Sequence, residues 1–164
     1  MTWSVGQIIP GRELACIMDL ERLGIVSYMP LGTKLTKPKG KRKPVRSYFF
    51  PFPGYIFIRD AKFHYLEMRT VKGFRRILFD RINELHIKDV ANKQRAGAFD
   101  IDDSGKDKHK SFKKDDYVKI IMGPLVGQNA IVQRDTNGNY WAFLTLAAMN
   151  GMTVKIFVDF IEKI

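Results

Sequence analysis

Between residues 52 and 58 the chain reads Phe-Pro-Gly-Tyr-Ile-Phe-Ile, a proline and a glycine at the mouth of a strongly β-forming run. Pro53 has no N–H to give to a ladder and Gly54 can take φ > 0, so the chain is expected to enter this strand at a sheet edge or a bulge. Tyr48, Phe49, Phe50, Phe52, Tyr55 and Phe57 crowd the same stretch. Any one aromatic in a β-rich run is more often core than surface. Both faces of one small sheet can hardly hide all six, however, and an exposed apolar patch is expected among them, the usual mark of a protein-binding surface.

The segments on either side suggest a mixed fold. Residues 3 to 9 alternate as a strand that Pro10-Gly11 ends. A helix follows from about Arg12, with Leu14, Ile17 and Met18 on one apolar face and Gly24 as its stop. Ile25 to Leu31 reads as a second strand. Phe63 to Val71 suits a short helix, Phe74 to Phe79 a strand, and Leu85 to about Ala98 a weaker helix with Ile87, Val90 and Ala91 inward. This β-α-β-β-α-β alternation predicts an α+β chain whose N-terminal domain, residues 1–98, is an α/β sandwich on an antiparallel sheet. Residues 99–114 mix charges and glycine and read as a linker. Residues 115–164 hold four β-type runs, with Asn-Gly hairpin chemistry at Thr136-Asn137-Gly138-Asn139, and predict a small SH3-like β-barrel.

Composition narrows the function. A chain of 164 residues, 45% of them apolar, can build real cores. No apolar run is long enough to cross a membrane and the N-terminus lacks a signal peptide's unbroken apolar stretch, so a cytoplasmic protein without membrane contact is expected. Cys16 is the only cysteine, which permits no internal disulfide and suits a packed helix position. The net charge of +11 points to a polyanionic partner, nucleic acid or a nucleoprotein machine.

Chemistry is poorly represented. His64, His86 and His109 are scattered without metal-ligand spacing, and no phosphate-binding or nucleophile-elbow motif occurs. Asp100, Asp102 and Asp103 cluster in the linker, which cannot hold carboxylates with the accuracy metal catalysis needs. A binding protein with no enzyme activity, cofactor or metal is expected. Its candidate nucleic-acid contact is the stretch from Lys34 to Arg46, with seven basic residues and no acidic one, broken by proline and glycine. Lys39, Lys41, Arg42, Lys43 and Arg46 on such an arm can follow a phosphate backbone without reading bases. Arg75, Arg76 and Arg81 form a second basic group that serves solubility equally well.

Two sets of residues carry a resemblance. Trp3, Val5 and Gln7 in a first strand, a basic helix, Pro30 after a second strand and then FPGYIFI together resemble the N-terminal domain of the NusG family of transcription elongation factors. Asp116 to Ile121, Gly123-Pro124-Leu125-Val126-Gly127 and Ala130-Ile131-Val132 resemble the KOW motif that opens that family's C-terminal barrel, with Gly123, Pro124 and Gly127 at its turn. The resemblance implies a monomeric elongation and antitermination factor that binds the clamp helices of the largest RNA polymerase subunit, suppresses pausing and increases processivity. It places Trp3, Phe52, Pro53, Tyr55 and Phe57 at that contact. His64 and Tyr65 correspond to a segment that touches the opposite side of the cleft in RfaH-like paralogues, although their threonines are missing here. Arg22 falls among the helix positions that read DNA in those paralogues, so upstream or non-template DNA is an implied partner. Leu146-Ala147-Ala148-Met149-Asn150 replaces the phenylalanine-glycine-arginine signature of the general factor, which suits a specialised paralogue and leaves other Nus-type factors or a ribosomal protein as partners of the barrel. A KOW-containing ribosomal or RNA-binding protein is the rival reading.

Overall fold

A computed structural model describes residues 1–102, 110–146 and 151–164. The chain divides into two compact units, Met1–Gly32 with Phe52–Phe99, and Thr33–Pro51 with Asp100–Ile164.

In the first unit β1 (Trp3–Ile8) is followed by α1 (Glu13–Arg22) and the short β2 (Ser27–Tyr28). Two further strands, β3 (Gly32–Thr36) and β4 (Val45–Phe49), intervene in the chain before the first unit resumes at β5 (Tyr55–Arg59), α2 (Tyr65–Met68), β6 (Phe74–Ile82) and α3 (Glu84–Arg95). The sheet order is β2-β5-β1-β6, every pair antiparallel. Val5, Ile8, Ile56, Phe57 and Ile58 of the two central strands are almost fully buried, the pattern of strands covered on both faces.

Helix α1 stops where the sequence says it should. Gly24 takes φ +70, its N–H donates to the Glu21 carbonyl at 2.9 Å, and the Ile25 N–H donates to the Leu20 carbonyl at 2.9 Å. That is a Schellman cap, closed by buried Ile25. The face of the helix differs from expectation. Glu13, Cys16 and Leu20 point inward, whereas Leu14 and Met18 are exposed, so the apolar stripe looks outward. The second strand is also shorter than the expected Ile25 to Leu31.

The second unit contains a basic hairpin and a barrel. Strands β4 and β3 pair side by side, and β3 pairs in parallel with β7 (Ile101–Asp102), which lies inside the stretch expected to be linker. The remaining strands are β8 (Tyr117–Ile120), β9 (Asn129–Val132), β10 (Trp141–Leu146), β11 (Met152–Phe157) and β12 (Ile161–Lys163), one more than the four runs legible in sequence. Their order is β11-β10-β9-β8-β12. Strands β11 and β12 thus occupy opposite edges, yet only the 3₁₀ turn Val158–Phe160 joins them, so the sheet must curl until its edges approach. Inside lie Val118, Ile120, Val132, Leu144, Leu146, Val154 and Ile156. The β9–β10 connection bears out its sequence signal: Asn137 and Gly138 both take positive φ, 46° and 74°, as a type I′ turn requires.

Candidate functional site

The register of the first sheet brings the expected contact residues together. Tyr55 lies opposite Gln7, Phe57 opposite Val5 and Arg59 opposite Trp3, so Trp3, Tyr55 and Phe57 share one face. Tyr28 stacks on Phe57 with centroids 6.1 Å apart, and His86 of α3 meets the same ring edge-on at 6.2 Å. The Tyr28 hydroxyl donates to Gln94 Oε1 at 2.9 Å, tying strand to helix on this side. Phe52 packs edge-on against Phe99 at 5.6 Å.

Of the six crowded aromatics Tyr48 is the exposed one, at 68%, with Phe49 and Phe50 half-buried. Packing leaves the remaining rings little surface. Trp3, Phe52, Tyr55 and Phe57 are at most 8% exposed. The reason is topological, because β5 lies between β2 and β1 and is no edge strand. Pro53 and Gly54 form the turn that leads into β5, and only the Gly54 carbonyl reaches β1. Gly54 takes φ +86, and a Cβ there would sit 3.3 Å from both the Ile8 carbonyl oxygen and Pro10 Cγ. Its own carbonyl accepts the Ile8 N–H at 2.8 Å. Burial pushes the Tyr55 phenol up to about 12, with Arg76 acting weakly the other way. Among the described residues the buried Trp3 indole N–H has no partner.

Exposed apolar side chains occur elsewhere in this unit. Phe63 is 70% exposed, Leu66 76%, and Tyr65 between them is half exposed, all on the connector after β5. His64 caps α2 there, its carbonyl accepting the Met68 N–H at 2.9 Å. Sequence reasoning overlooked Glu13 altogether. Its buried carboxylate accepts the Gly11 N–H at 2.7 Å and the Gly54 N–H at 3.3 Å, pinning the start of α1 to the Pro53-Gly54 turn. A glutamate in the first turn of a helix ordinarily reads as a solvated charge complementing the dipole, and no local signal separates the two roles.

The basic arm is a hairpin between β3 and β4. At its tip Gly40 takes φ +84 and the Lys41 N–H donates to the Pro38 carbonyl at 3.1 Å, the geometry of a type II turn. Lys39, Lys41, Arg42, Lys43 and Arg46 are all exposed. Arg22 stands on the other unit and pairs with Asp19 at 3.1 Å. In the barrel, Gly123 and Gly127 both take positive φ beside buried Pro124, and the Gly127 N–H returns to the Ile120 carbonyl at 2.8 Å.

Asp100 accepts the Thr33 N–H and hydroxyl at 2.9 and 2.8 Å, a structural role. Among the described residues no group of three or more His, Cys, Asp or Glu is placed to hold a metal ion. Asp103, His109 and the segment Ala147-Ala148-Met149-Asn150 lie outside the described residues. No described helix is long and apolar enough to cross a membrane.

The family described as transcription termination factor NusG matches residues 1–93, more than half of the chain. The chain belongs to the NusG family. It is thereby a transcription elongation factor of mixed α+β fold. No curated protein matches. Among solved structures, NusG of Thermotoga maritima, in a study of its domain interaction, is 18% identical with a TM-score of 0.42, covering 100% of this chain and 98% of its own. Two crystal structures of the MjSpt4:Spt5 complex, conformations B and A, give 17% identity with a TM-score of 0.33 and 15% with 0.32, each covering 100% of this chain and 97% and 98% of theirs. At these scores the family assignment rests on the match over residues 1–93.

Proposed function

We propose that this factor binds RNA polymerase at the clamp helices of the largest subunit through its first unit, and that it is a specialised RfaH-like paralogue whose barrel is of the KOW type. The observation that supports a protein contact is the exposure of Phe63 and Leu66 on the connector after β5, because large apolar side chains in water on a family member's first domain call for a partner. Trp3, Phe52, Tyr55 and Phe57 act from below. They are the unit's packed floor, at most 8% exposed, while Phe63, Tyr65 and Leu66 supply area that a partner can cover. Contact on both sides of the polymerase cleft favours its closed clamp, which suppresses pausing by shifting a population and asks for no catalytic group. The basic hairpin and Arg22 hold upstream or non-template DNA by its phosphates.

The experiment is copurification of polymerase subunits with the tagged chain from its host. Phe63→Ser with Leu66→Ser should abolish it while leaving the circular dichroism spectrum unchanged, since both side chains are already in solvent. Undiminished copurification of the folded variant would remove the connector from the interface. Truncating the floor is a poor test, because Phe52→Ala alone costs about 3–5 kcal/mol of stability. The ribosomal reading is disfavoured, since the family match falls on a domain that a KOW-containing ribosomal protein would not need.

A further inference from the structure

Strand β6 is an edge of the first sheet, and its pairing with β1 slips. Trp3 lies opposite Ile82 but Val5 lies opposite Phe79, so Ser4 alone faces both Asp80 and Arg81. This is a β-bulge, a device that re-aims side chains at sheet edges. The Ser4 hydroxyl donates to Asp80 Oδ1 at 2.8 Å, which fixes the first bulged residue. The second, Arg81, takes φ +62. A left-handed bulge residue is ordinarily glycine, and an arginine there brings a Cβ clash that glycine lacks. Asp60, at φ +51, makes the contrast. Its carboxylate accepts the Thr2 N–H at 2.8 Å, its own N–H donates to the Thr2 carbonyl at 2.7 Å, and aspartate tolerates this conformation. Arg81 has no such fastening, for its side chain is exposed and has no hydrogen bond or ion pair among the described residues. Backbone strain that the fold itself does not use points to function. Both outliers sit at one end of the sheet. Trp3, at the start of β1, has Arg59 on one side and Ile82 on the other, so Arg81 lies two strand spacings, about 10 Å, from where β5 passes into the connector of Phe63 and Leu66.

We propose that Arg81 is a specificity-determining contact of the polymerase-binding surface, held out by the bulge to pair with a carboxylate of the polymerase. This contact rests on the polymerase reading above and adds one directed charge to the apolar area of the connector. Exposed apolar side chains beside an exposed arginine have the composition of a protein interface. The planar guanidinium can take a carboxylate through two parallel hydrogen bonds, which fixes orientation as well as affinity. A phosphate backbone fits less well. Arg59, Lys62 and Arg81 at this end are balanced by Asp60, Asp80 and Glu84, whereas the hairpin has seven cations and no anion.

The test measures stability and affinity on the same full-length variants, by urea unfolding and by biolayer interferometry against RNA polymerase purified from the host. Asparagine accepts left-handed backbone, so the urea midpoint of Arg81→Asn should hold or rise while affinity for polymerase falls about tenfold, within the range that truncating an interface arginine costs. Arg81→Lys keeps the charge without the planar fork and should recover part of the loss. The loss should shrink as salt is raised, because screening weakens the pair. A residue with a structural role alone would move midpoint and affinity together, and that result overturns the contact. Wild-type affinity in Arg81→Asn overturns it as well. Duplex DNA binding, read by anisotropy, should be unchanged in Arg81→Asn; a loss there with polymerase binding intact gives the residue to nucleic acid instead. An unaltered chain that does not bind polymerase at all sinks the polymerase reading and this contact with it, an outcome distinct from polymerase binding that Arg81→Asn leaves untouched.

Discussion

Glu13 shows how a single side chain can hold a functional turn in place. It closes the gap between Pro10-Gly11 and Pro53-Gly54 by accepting one N–H from each, and it is itself buried. Glu13→Ala leaves the buried Gly54 N–H without an acceptor and should cost about 1–3 kcal/mol in urea unfolding. Glu13→Gln, which keeps an acceptor, should cost less; equal losses would mean that packing, and not the hydrogen bonds, is what Glu13 supplies. Tyr55 and Cys16 make a second prediction at this scale. Burial pushes the phenol from its ordinary 10 to about 12 and the thiol from 9 to about 11, the latter helped by Asp19 and Glu13. Folded pKa values above the unfolded ones mean that the native state holds its protons longer, so this stability is complete below the unfolded values and is lost as pH rises through about 9 to 12. Chemical denaturation at pH 8 and at increasing alkaline pH should show a falling midpoint, and Tyr55→Phe should flatten the fall. The acid side runs the other way. Hydrogen bonding from Thr2 lowers Asp60, and Lys163 with the Lys113 N–H lowers Asp116, so the stability these carboxylates give disappears as pH falls through their depressed values.

Helices, strands and turns were largely legible, because they rest on local chemistry that the residues display. Gly24 and Ile25 cap α1, Asn137-Gly138 turns β9 into β10, and Cys16 packs in the helix, each by a mechanism confined to a few neighbours. What failed was the sense of direction. The stripe Leu14-Ile17-Met18 has the right period for an inward face, and periodicity cannot say which side the sheet lies on; the burial of Glu13 and Leu20 decided it. Likewise a proline before a strand implies an irregularity, but whether β5 is edge or centre depends on pairing with β2, which lies about thirty residues away and has only two residues. The basic hairpin was legible as an arm because no acidic residue lies among its seven basic ones, and each of its five candidate contacts is exposed. Neutralising Lys41, Arg42 and Lys43 to Gln should therefore leave the fold intact while weakening duplex DNA binding and lowering its log–log salt slope by up to about 2.7, three released phosphates at about 0.9 each. The measurement is anisotropy between 50 and roughly 200 mM salt, and an unchanged slope would make the arm a solvated loop.

At the scale of the whole molecule the net charge of +11 agrees with a protein that works beside a polyanion. The direction of its effect is where the family's name and our reading part, since the matching family is described as a termination factor and we propose read-through. The resemblance implies that the general factor of the family is engaged by the termination factor Rho through its phenylalanine-glycine-arginine signature, and Ala148 with Met149-Asn150 offers neither an aromatic anchor nor a cation. On the reading proposed above, a factor without that handle holds the polymerase through its first unit and does not deliver Rho. On the same reading, a barrel tethered by the linker expected at residues 99–114 serves another ligand at the effective concentration that linker sets. Transcription by purified polymerase across an intrinsic terminator should give more full-length product when the protein is added, and the gain should survive Rho. Introducing a phenylalanine and an arginine by Ala148→Phe with Asn150→Arg should restore part of the Rho response without weakening polymerase copurification. Enhanced Rho-dependent release by the unaltered chain would reverse the reading and place it with the termination factors after which its family is described.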